Sequence, residues 1–548
     1  MVCLLLVVII TVGGATWQRP HIVFILADDL GWNDVGFHGS KQIPTPNIDT
    51  LAYDGIILNN YYVQPICTPT RSALLTGRHP IHTGMQQGVI VGAQPYGLGL
   101  NETILPQYLK TLGYKTHIVG KWHLGMFAKE YTPTYRGFDS HLGYYQGMEG
   151  YWDHTYQAFA GQKDSWGLDF RRDGRLVKTA FGQYSTELFT TEAERIIAEH
   201  DVSKPLFLYL PHQAVHSANP SDPLEAPWKY LKQFGHIKHK GRRTFAAMMS
   251  ALDDSIGNIT KALDIRGMLN NSVIVFSSDN GGPAHGFDMN YANNWPLRGV
   301  KATLWEGGMR AAGFLWSPLL KRTNYVSNHL VQVIDWLPTL LSIAGYNMSQ
   351  LPSSVDGFDI WRMLSEQGPP ARSEILHNIE PRAKPNAALR MLDMKLMTGV
   401  GDYSTWDGWY PPEGNSSEEP PSELFRSGLR RLLRSLGREA PHGQPVVVRC
   451  GSKPANATCD LAKAPCLFNI TADPCEFHNV ADHFPVIVRQ LLARLAEYNK
   501  TAVPIHNVPN DPKGLPRYHN GVWEPWVKLG AAEDKAKSPA LNEISTKN

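Results

Sequence analysis

Net charge of one sign is nearly missing from this chain: 52 Lys and Arg stand against 50 Asp and Glu, a formal +2 over 548 residues. That balance excludes the broad basic footprint of a nucleic-acid or anionic-membrane binder, so any anion specificity has to be local. Long apolar runs are missing as well. Beyond the first dozen residues no stretch reaches the roughly 20 residues that span a bilayer, which gives no membrane span to expect. No internal repeat occurs, and cysteine is scarce at six in all. Hydrophobic residues make up 43% and charged ones 19%, ordinary for a globular protein, while 48 Gly and 39 Pro point to many turns and long loops. The length has room for one large α/β domain and a smaller one.

Met1 to Val12 is apolar apart from Thr11, and Gly13-Gly14-Ala15 supplies small residues of the kind a signal peptidase needs. Residues 1–15 therefore read as a cleaved signal peptide. N-x-[ST] sequons at Asn101, Asn258, Asn270, Asn347, Asn415, Asn456, Asn469 and Asn499 agree, as a group, with passage through a glycosylating compartment. The expected destination is the lysosomal lumen or the extracellular space. Removing Cys3 with the signal leaves Cys67 alone in the N-terminal part, with Cys450, Cys459, Cys466 and Cys475 near the end. In an oxidising lumen those four read as two disulfides, with three possible connectivities. Cys67 is then unpaired, either a buried inert thiol or one put to chemical use.

Several short apolar runs end in residues able to do chemistry. His21 to Leu26 ends at Asp28-Asp29, Tyr114 to Val119 at Lys121-Trp122-His123, Pro205 to Leu210 leads to His212 and His216, and Val273 to Phe276 ends at Asp279-Asn280. Each run has the length of a fully buried strand. Helix signals lie between them: Pro46 just inside a start and Gly55 just beyond an end, Ala246 to Leu263 at helical spacing, and Ile334 to Ala344. Strand alternating with helix predicts a large, mixed, mostly parallel sheet flanked by helices, and ligands of such sheets bind beyond the carboxyl ends of the strands. After about Arg382 the character changes. Met394 to Thr398, Val446 to Val448 and Leu467 to Ile470 read as short strands and Pro485 to Tyr498 as a helix, so a catalytic α/β domain over 16–385 and a smaller C-terminal α+β domain over 386–548 are expected. Pro411 to Pro421 reads as an exposed loop, Leu424 to Leu436 as a solvated basic helix, and the tail from Gly530 as frayed.

The most specific block is Cys67-Thr68-Pro69-Thr70-Arg71, followed by Thr76-Gly77-Arg78. It resembles the C-x-P-x-R pattern of the type I, formylglycine-dependent sulfatases. Ala27-Asp28-Asp29-Leu30-Gly31, Gly120-Lys121-Trp122-His123-Leu124-Gly125 and Ser278-Asp279-Asn280-Gly281-Gly282 extend the resemblance over nearly all of the mature chain. Asn294 to Gly299 with Lys301, Trp305 to Gly308, and Gly521 to Trp526 resemble most the arylsulfatase B, I and J branch of that family, which includes the N-acetylgalactosamine 4-sulfatases.

The resemblance implies an alkaline-phosphatase-like sulfatase fold and hydrolysis of sulfate esters. It implies that an enzyme of the endoplasmic reticulum oxidises Cys67 to formylglycine, whose hydrate carries two hydroxyls on one carbon, one to attack sulfur and one to expel sulfate. It also implies that Asp28, Asp29, Asp279 and Asn280, with the modified Cys67, hold calcium. Three carboxylates and an amide oxygen are hard ligands, which agrees with calcium or magnesium rather than zinc. Arg71, Lys121 and Lys301 would surround the sulfate, His123 would take the proton of the second hydroxyl, and His216 with Lys301 would bind the ester and protonate the departing alcohol. The implied substrate is a sulfated saccharide or aryl sulfate, in particular N-acetylgalactosamine 4-sulfate of dermatan or chondroitin sulfate. His117, His141 and His212 read as structural or rim residues, and Trp122 as packing. Thr70 stands where the commonest family sequence has Ser and keeps a hydroxyl, while Ser217 to Asp222 reads as an insertion relative to the family and Pro283 to Tyr291 as longer than in arylsulfatase B, both beside the site. The competing readings are a sulfatase of other sugar specificity, a phosphohydrolase of the alkaline-phosphatase-like group, and a non-catalytic binder of sulfated glycans.

Overall fold

A computed structural model of the chain describes residues 18–529 except 160, 382–384, 414–418, 439–442, 456 and 458. The expected signal peptide, Cys3, Asn415, Asn456 and the tail from Gly530 lie outside the described residues.

Ten strands form the main sheet: β1 (His21–Ala27), β2 (Ile56–Tyr62), β3 (Lys115–Lys121), β4 (Ser140–Tyr144), β5 (Arg171–Arg172), β6 (Arg175–Leu176), β7 (Leu206–Pro211), β8 (Ser272–Ser278), β9 (Gly313–Trp316) and β10 (Tyr325–Gln332). Their order is β10-β2-β9-β8-β1-β7-β3-β4-β5-β6. The central run β8-β1-β7-β3-β4 is parallel throughout. Strand β9 is antiparallel to both β8 and β2, so β2 points the same way as β1, and β10 is parallel to β2. Five of the expected site segments therefore leave the sheet at one edge.

The apolar runs are continuous because both faces are covered. Along β1, Val23, Ile25 and Ala27 belong to one buried cluster and Ile22, Phe24 and Leu26 to the other. The first cluster is closed by helices Pro46–Asp54, Ser185–Glu199 and Lys240–Ile265 through Leu51, Phe189 and Leu252. The second is closed by Cys67–Thr76, Leu105–Thr111 and Trp336–Ile343 through Leu74, Leu109 and Leu340. Pro46 and Gly55 bracket their helix as read from the sequence.

The smaller sheet is antiparallel, in the order β11 (Glu374–Glu380), β12 (Asn386–Met391), β13 (Met394–Thr398) and β14 (Cys466–Asn469). One face packs Leu376, Leu389 and Leu396 against Leu491 and Leu495 of helix Pro485–Thr501; the other sets Ile375, Met397 and Phe468 against Tyr62, Trp305 and Met309 of the main body. The expected strand at Val446 to Val448 is not formed. That segment is irregular, with Val446 N donating to Phe37 O at 2.8 Å and Val447 N to Pro445 O at 3.1 Å, and has no ladder partner among the described residues. Disulfides join Cys450 to Cys475 and Cys459 to Cys466, and Cys67 is free.

A buried ion network ties the two sheets. Lys395 Nζ on β13 lies 3.0 Å from Glu306 and 2.9 Å from Glu476, and Tyr62 Oη donates to Glu306 at 2.7 Å. Burial, and then the charge of Glu306, push the Glu476 carboxyl up to about 7 against the pull of Lys395. The folded chain therefore holds a proton there that the unfolded chain has lost above its ordinary carboxyl range. This group contributes most at acid pH, and its contribution falls as pH rises from about 4.5 through about 7. Denaturant unfolding across that interval should show stability decreasing with pH, and Glu476→Gln should flatten the slope; an equal slope in the variant would remove Glu476 as its source.

Candidate active site

Strands β1 and β8 are in register to their ends, Ala27 opposite Ser278, so Asp28 and Asp279 emerge side by side, with Asp279 N donating to Ala27 O at 3.0 Å. Asp28 is clamped from its other side: its N–H donates to Ala214 O at 3.0 Å and its carbonyl accepts from Val215 at 2.8 Å. Asp29 has φ +60°, a left-handed conformation that aspartate tolerates better than most side chains. In it the Asp29 N–H donates to Asp279 Oδ1 at 3.1 Å.

Cys67 opens helix Cys67–Thr76, every residue of which is buried. Pro69 sits in the first turn, where no intrahelical donor is needed. The Thr70 hydroxyl donates to Asp279 O at 2.5 Å and accepts from Gln64 N at 2.9 Å, while Thr68 Oγ1 donates to His123 O at 3.0 Å. These bonds pin the head of the helix to the ends of β8 and β3. On β3, Gly120 has φ +123°, and a Cβ there would lie 2.0 Å from Pro211 O, so only glycine lets β3 approach β7 this closely just before Lys121.

The charged side chains interlock. Arg71 Nη2 is 2.8 Å from Asp279 and 3.3 Å from Asp28; Lys121 Nζ is 2.6 Å from Asp28, and Cys67 Sγ is 3.7 Å from the other oxygen of Asp28. Lys301 Nζ lies 2.8 Å from Asp29, 3.0 Å from Asp288 and 3.0 Å from His216 Nε2. Apart from Asp288, whose side chain is 27% exposed, these carboxylates and cations are at most 2% exposed. Burial pushes Asp29 up despite Lys301, and burial together with Asp28 raises Asp279 despite Arg71 and Lys121. Burial works against the Lys301 ammonium, but Asp29, Cys67 and Asp288 hold it well above the ordinary lysine range. The Cys67 thiol is pushed well up by burial, further than Lys121 and Lys301 draw it down, so as a thiol it is protonated and a poor nucleophile.

Both expected histidines are neutral: burial lowers each well below the usual range, helped by Lys121 and Arg71 at His123 and by Lys301 at His216. Carbonyl partners assign their tautomers. His123 Nε2 donates to Ile90 O at 2.9 Å, leaving Nδ1 buried without a partner. His216 Nδ1 donates to Ser217 O at 2.7 Å, leaving Nε2 as acceptor toward Lys301. His117, His141 and His212 bond Ser140, Gly120 O and Ser255, and Trp122 donates to Gly125 O and Tyr131 O, as structural residues do.

Oxygens of Asp28 and Asp29, Cys67 Sγ and a His216 ring nitrogen lie within 4.8 Å of one another. Asn280 Nδ2 donates to Asp29 at 2.6 Å, which leaves Asn280 Oδ1 buried and unpartnered. An orphaned amide oxygen among three buried carboxylates is a donor set that fits a hard divalent cation.

Two contributors escaped the sequence reading, and both come from the longer segment Pro283 to Tyr291. Asp288 touches Lys301 and stands 3.7 Å from His216, and Asn290 Nδ2 donates to Asp29 O at 3.1 Å and Val215 O at 2.8 Å. The only signal was the position of that segment after Asp279-Asn280.

A main sheet of this topology with this charge cluster across its strand ends defines a hydrolase of anionic esters. The chain belongs to the sulfatase family, whose model, described as Sulfatase, matches residues 20–346. It is 42% identical to arylsulfatase J of Mus musculus over 543 residues, 94% of this chain and 82% of that protein. It is 32% identical to N-acetylgalactosamine-6-sulfatase of Rattus norvegicus (63% of this chain, 65% of that protein) and 31% identical to arylsulfatase A of Homo sapiens (68% and 72%). Among solved structures, the crystal structure of Ps i-CgsB is 27% identical with a TM-score of 0.70, covering 91% of this chain and 96% of that one. The protein is accordingly a sulfuric ester hydrolase.

Replacing Arg71 by Met leaves Asp28 and Asp279 facing each other without the shared guanidinium. Removing one partner of a buried pair costs about 3–5 kcal/mol, so the unfolding midpoint should drop accordingly. A midpoint equal to that of the parent would show that Arg71 does not hold the two acids together.

Proposed function

We propose that the chain hydrolyses the 4-sulfate ester of N-acetylgalactosamine in glycosaminoglycans such as dermatan and chondroitin sulfate, through formylglycine made from Cys67 and with calcium held by Asp28, Asp29, Asp279, Asn280 and residue 67. The observation that carries the reading is Cys67 itself, an unpaired thiol kept protonated by burial at the centre of the charge cluster, 3.7 Å from Asp28. A protonated cysteine has little use there; its oxidised form does. Charge balance also supports the reading. Four carboxylates, Asp28, Asp29, Asp279 and Asp288, face three cations, Arg71, Lys121 and Lys301, and a divalent ion together with a singly charged sulfate ester brings the set to neutrality.

As formylglycine hydrate, residue 67 supplies one hydroxyl to attack sulfur and a second to expel the sulfate. Calcium supplies Lewis acidity toward a sulfate oxygen. Lys121, Lys301 and Arg71 hold fixed positive charge around the sulfuryl group, where negative charge spreads as the sulfur–oxygen bond to the sugar breaks. The Lys301 ammonium, hydrogen-bonded to His216 Nε2, provides the proton that the departing sugar oxygen takes. His123, with Nε2–H fixed on Ile90 O, offers Nδ1 to the proton of the second hydroxyl.

The choice of sugar rests on the sequence blocks around Lys301 and on relatives named N-acetylgalactosamine-6-sulfatase, which share the saccharide and differ in the ester position. A structure similar to this chain was solved in complex with k-i-k-neocarrahexaose, which also supports a saccharide substrate. Lysosomal or extracellular residence, after a formylglycine-generating enzyme has acted, is supported by the disulfides and by exposed sequon residues Asn101, Asn258, Asn270, Asn347 and Asn499.

Mass spectrometry of the peptide bearing Cys67 should find the aldehyde, and Cys67→Ala should lower turnover of 4-sulfated N-acetylgalactosamine saccharides at least about a thousandfold. An unmodified thiol in an active preparation would refute the nucleophile, and faster turnover of 6-sulfated saccharides would refute the ester position. Asn280→Ala should weaken calcium binding, measured by calorimetric titration of the metal alone; an unaltered isotherm removes Asn280 from the ligand set.

A further inference from the structure

The site has two unlike sides. Its catalytic charges and histidines are buried, whereas the apolar residues packed on Ile66, Cys67 and Ala302 are only partly covered: Val89, Phe287 and Tyr403. The part-covered side thus packs against the cluster that contains residue 67. The Phe287 ring lies 5.6 Å from Tyr403 and 5.3 Å from Trp406, and Tyr403 stacks on Trp406 at 5.1 Å with 13° between planes. Lys301 Nζ is 5.3 Å from the centre of the Phe287 ring. Next in sequence, Asp288 directs one oxygen to Lys301, and its side chain is 27% exposed.

The 403–410 segment is anchored to residues 298–305, beside Lys301. Gly299 N donates to Gly408 O at 2.8 Å and Arg298 Nε to Asp407 O at 2.8 Å, while the Arg298 guanidinium sits 3.5 Å from the Trp305 ring centre and 4.3 Å from that of Trp409. A Cβ on Gly286 would lie 2.6 Å from the Trp406 ring, so the backbone of the 283–291 segment rests directly on that indole. Rings held this firmly lose little entropy when a ligand arrives.

We propose that Phe287, Tyr403 and Trp406, with Asp288 beside them, form the leaving-group subsite: the aromatic cluster covers the C–H face of the pyranose whose sulfate sits over residue 67, and Asp288 accepts a hydrogen bond from one of its hydroxyls. The apolar face of a sugar matches the apolar cluster, and its hydroxyl edge matches the part-exposed carboxylate. The subsite rests on the sulfatase reading above and adds the groups that select the alcohol rather than the sulfate.

The test compares the parent with Trp406→Ala, Phe287→Leu and Trp406→Phe. Steady-state kinetics with a 4-sulfated N-acetylgalactosamine disaccharide is measured beside product inhibition by inorganic sulfate, which reports the charged pocket alone. Losing one ring should raise KM about tenfold, and more than it lowers kcat, with sulfate inhibition unchanged and Trp406→Phe restoring most of the loss. Unchanged KM in both Trp406→Ala and Phe287→Leu overturns the subsite, as does a parallel loss of sulfate inhibition, which marks these residues as packing only. Calorimetric titration of the same variants with the disaccharide decides the subsite even in a preparation without turnover, where the proposed chemistry fails and binding stands apart.

Discussion

The structure depends on keeping like charges together away from water. Asp28, Asp29 and Asp279 meet where two neighbouring strands end in register, and no apolar packing could hold three acids there. Arg71 bridges two of them, Lys121 shares with it one oxygen of Asp28, and Lys301 takes the third. Removing two charges from water costs several kcal/mol for each ion and is repaid only by good geometry and further hydrogen bonds. The surrounding fold supplies that geometry: a glycine where β3 nears β7, a left-handed Asp29, and a threonine tying the helix head to β8.

The parts legible in the sequence were those whose burial is uniform. Strands β1, β3, β7 and β8 read as apolar runs because helices cover both faces, and each delivered its chemical residue to the same edge. Strand β2 went unread since Asn59 and Asn60 interrupt its run; both side chains bond Asn328, at the irregularity of the edge strand β10, where polar residues cost little. The antiparallel insertion of β9, which gives β2 its direction and so aims Cys67, leaves no mark in local composition. Val446 to Val448 misled in the opposite sense: its β-branched residues form an irregular segment with one backbone bond to Phe37 and one local turn bond in place of a ladder.

Within the site, motif residues were found by resemblance and geometry then explained them. What local pattern could not reveal was the meeting of the 283–291 and 403–410 segments, over a hundred residues apart in sequence. Arg298 holds the 403–410 side of that junction, stacking between two tryptophans while bonding the Asp407 carbonyl. Aromatic residues in a Gly- and Pro-rich stretch carry no periodicity, so their grouping is visible only in three dimensions.

Helix Cys67–Thr76 is covered on every side, with Cys67 itself 1% exposed. The finished fold thus leaves the Cys67 side chain out of reach of another protein. On the proposed reading, oxidation of Cys67 would have to precede closure of this helix, and a molecule that closed first would keep an inert thiol at the centre of its charge cluster.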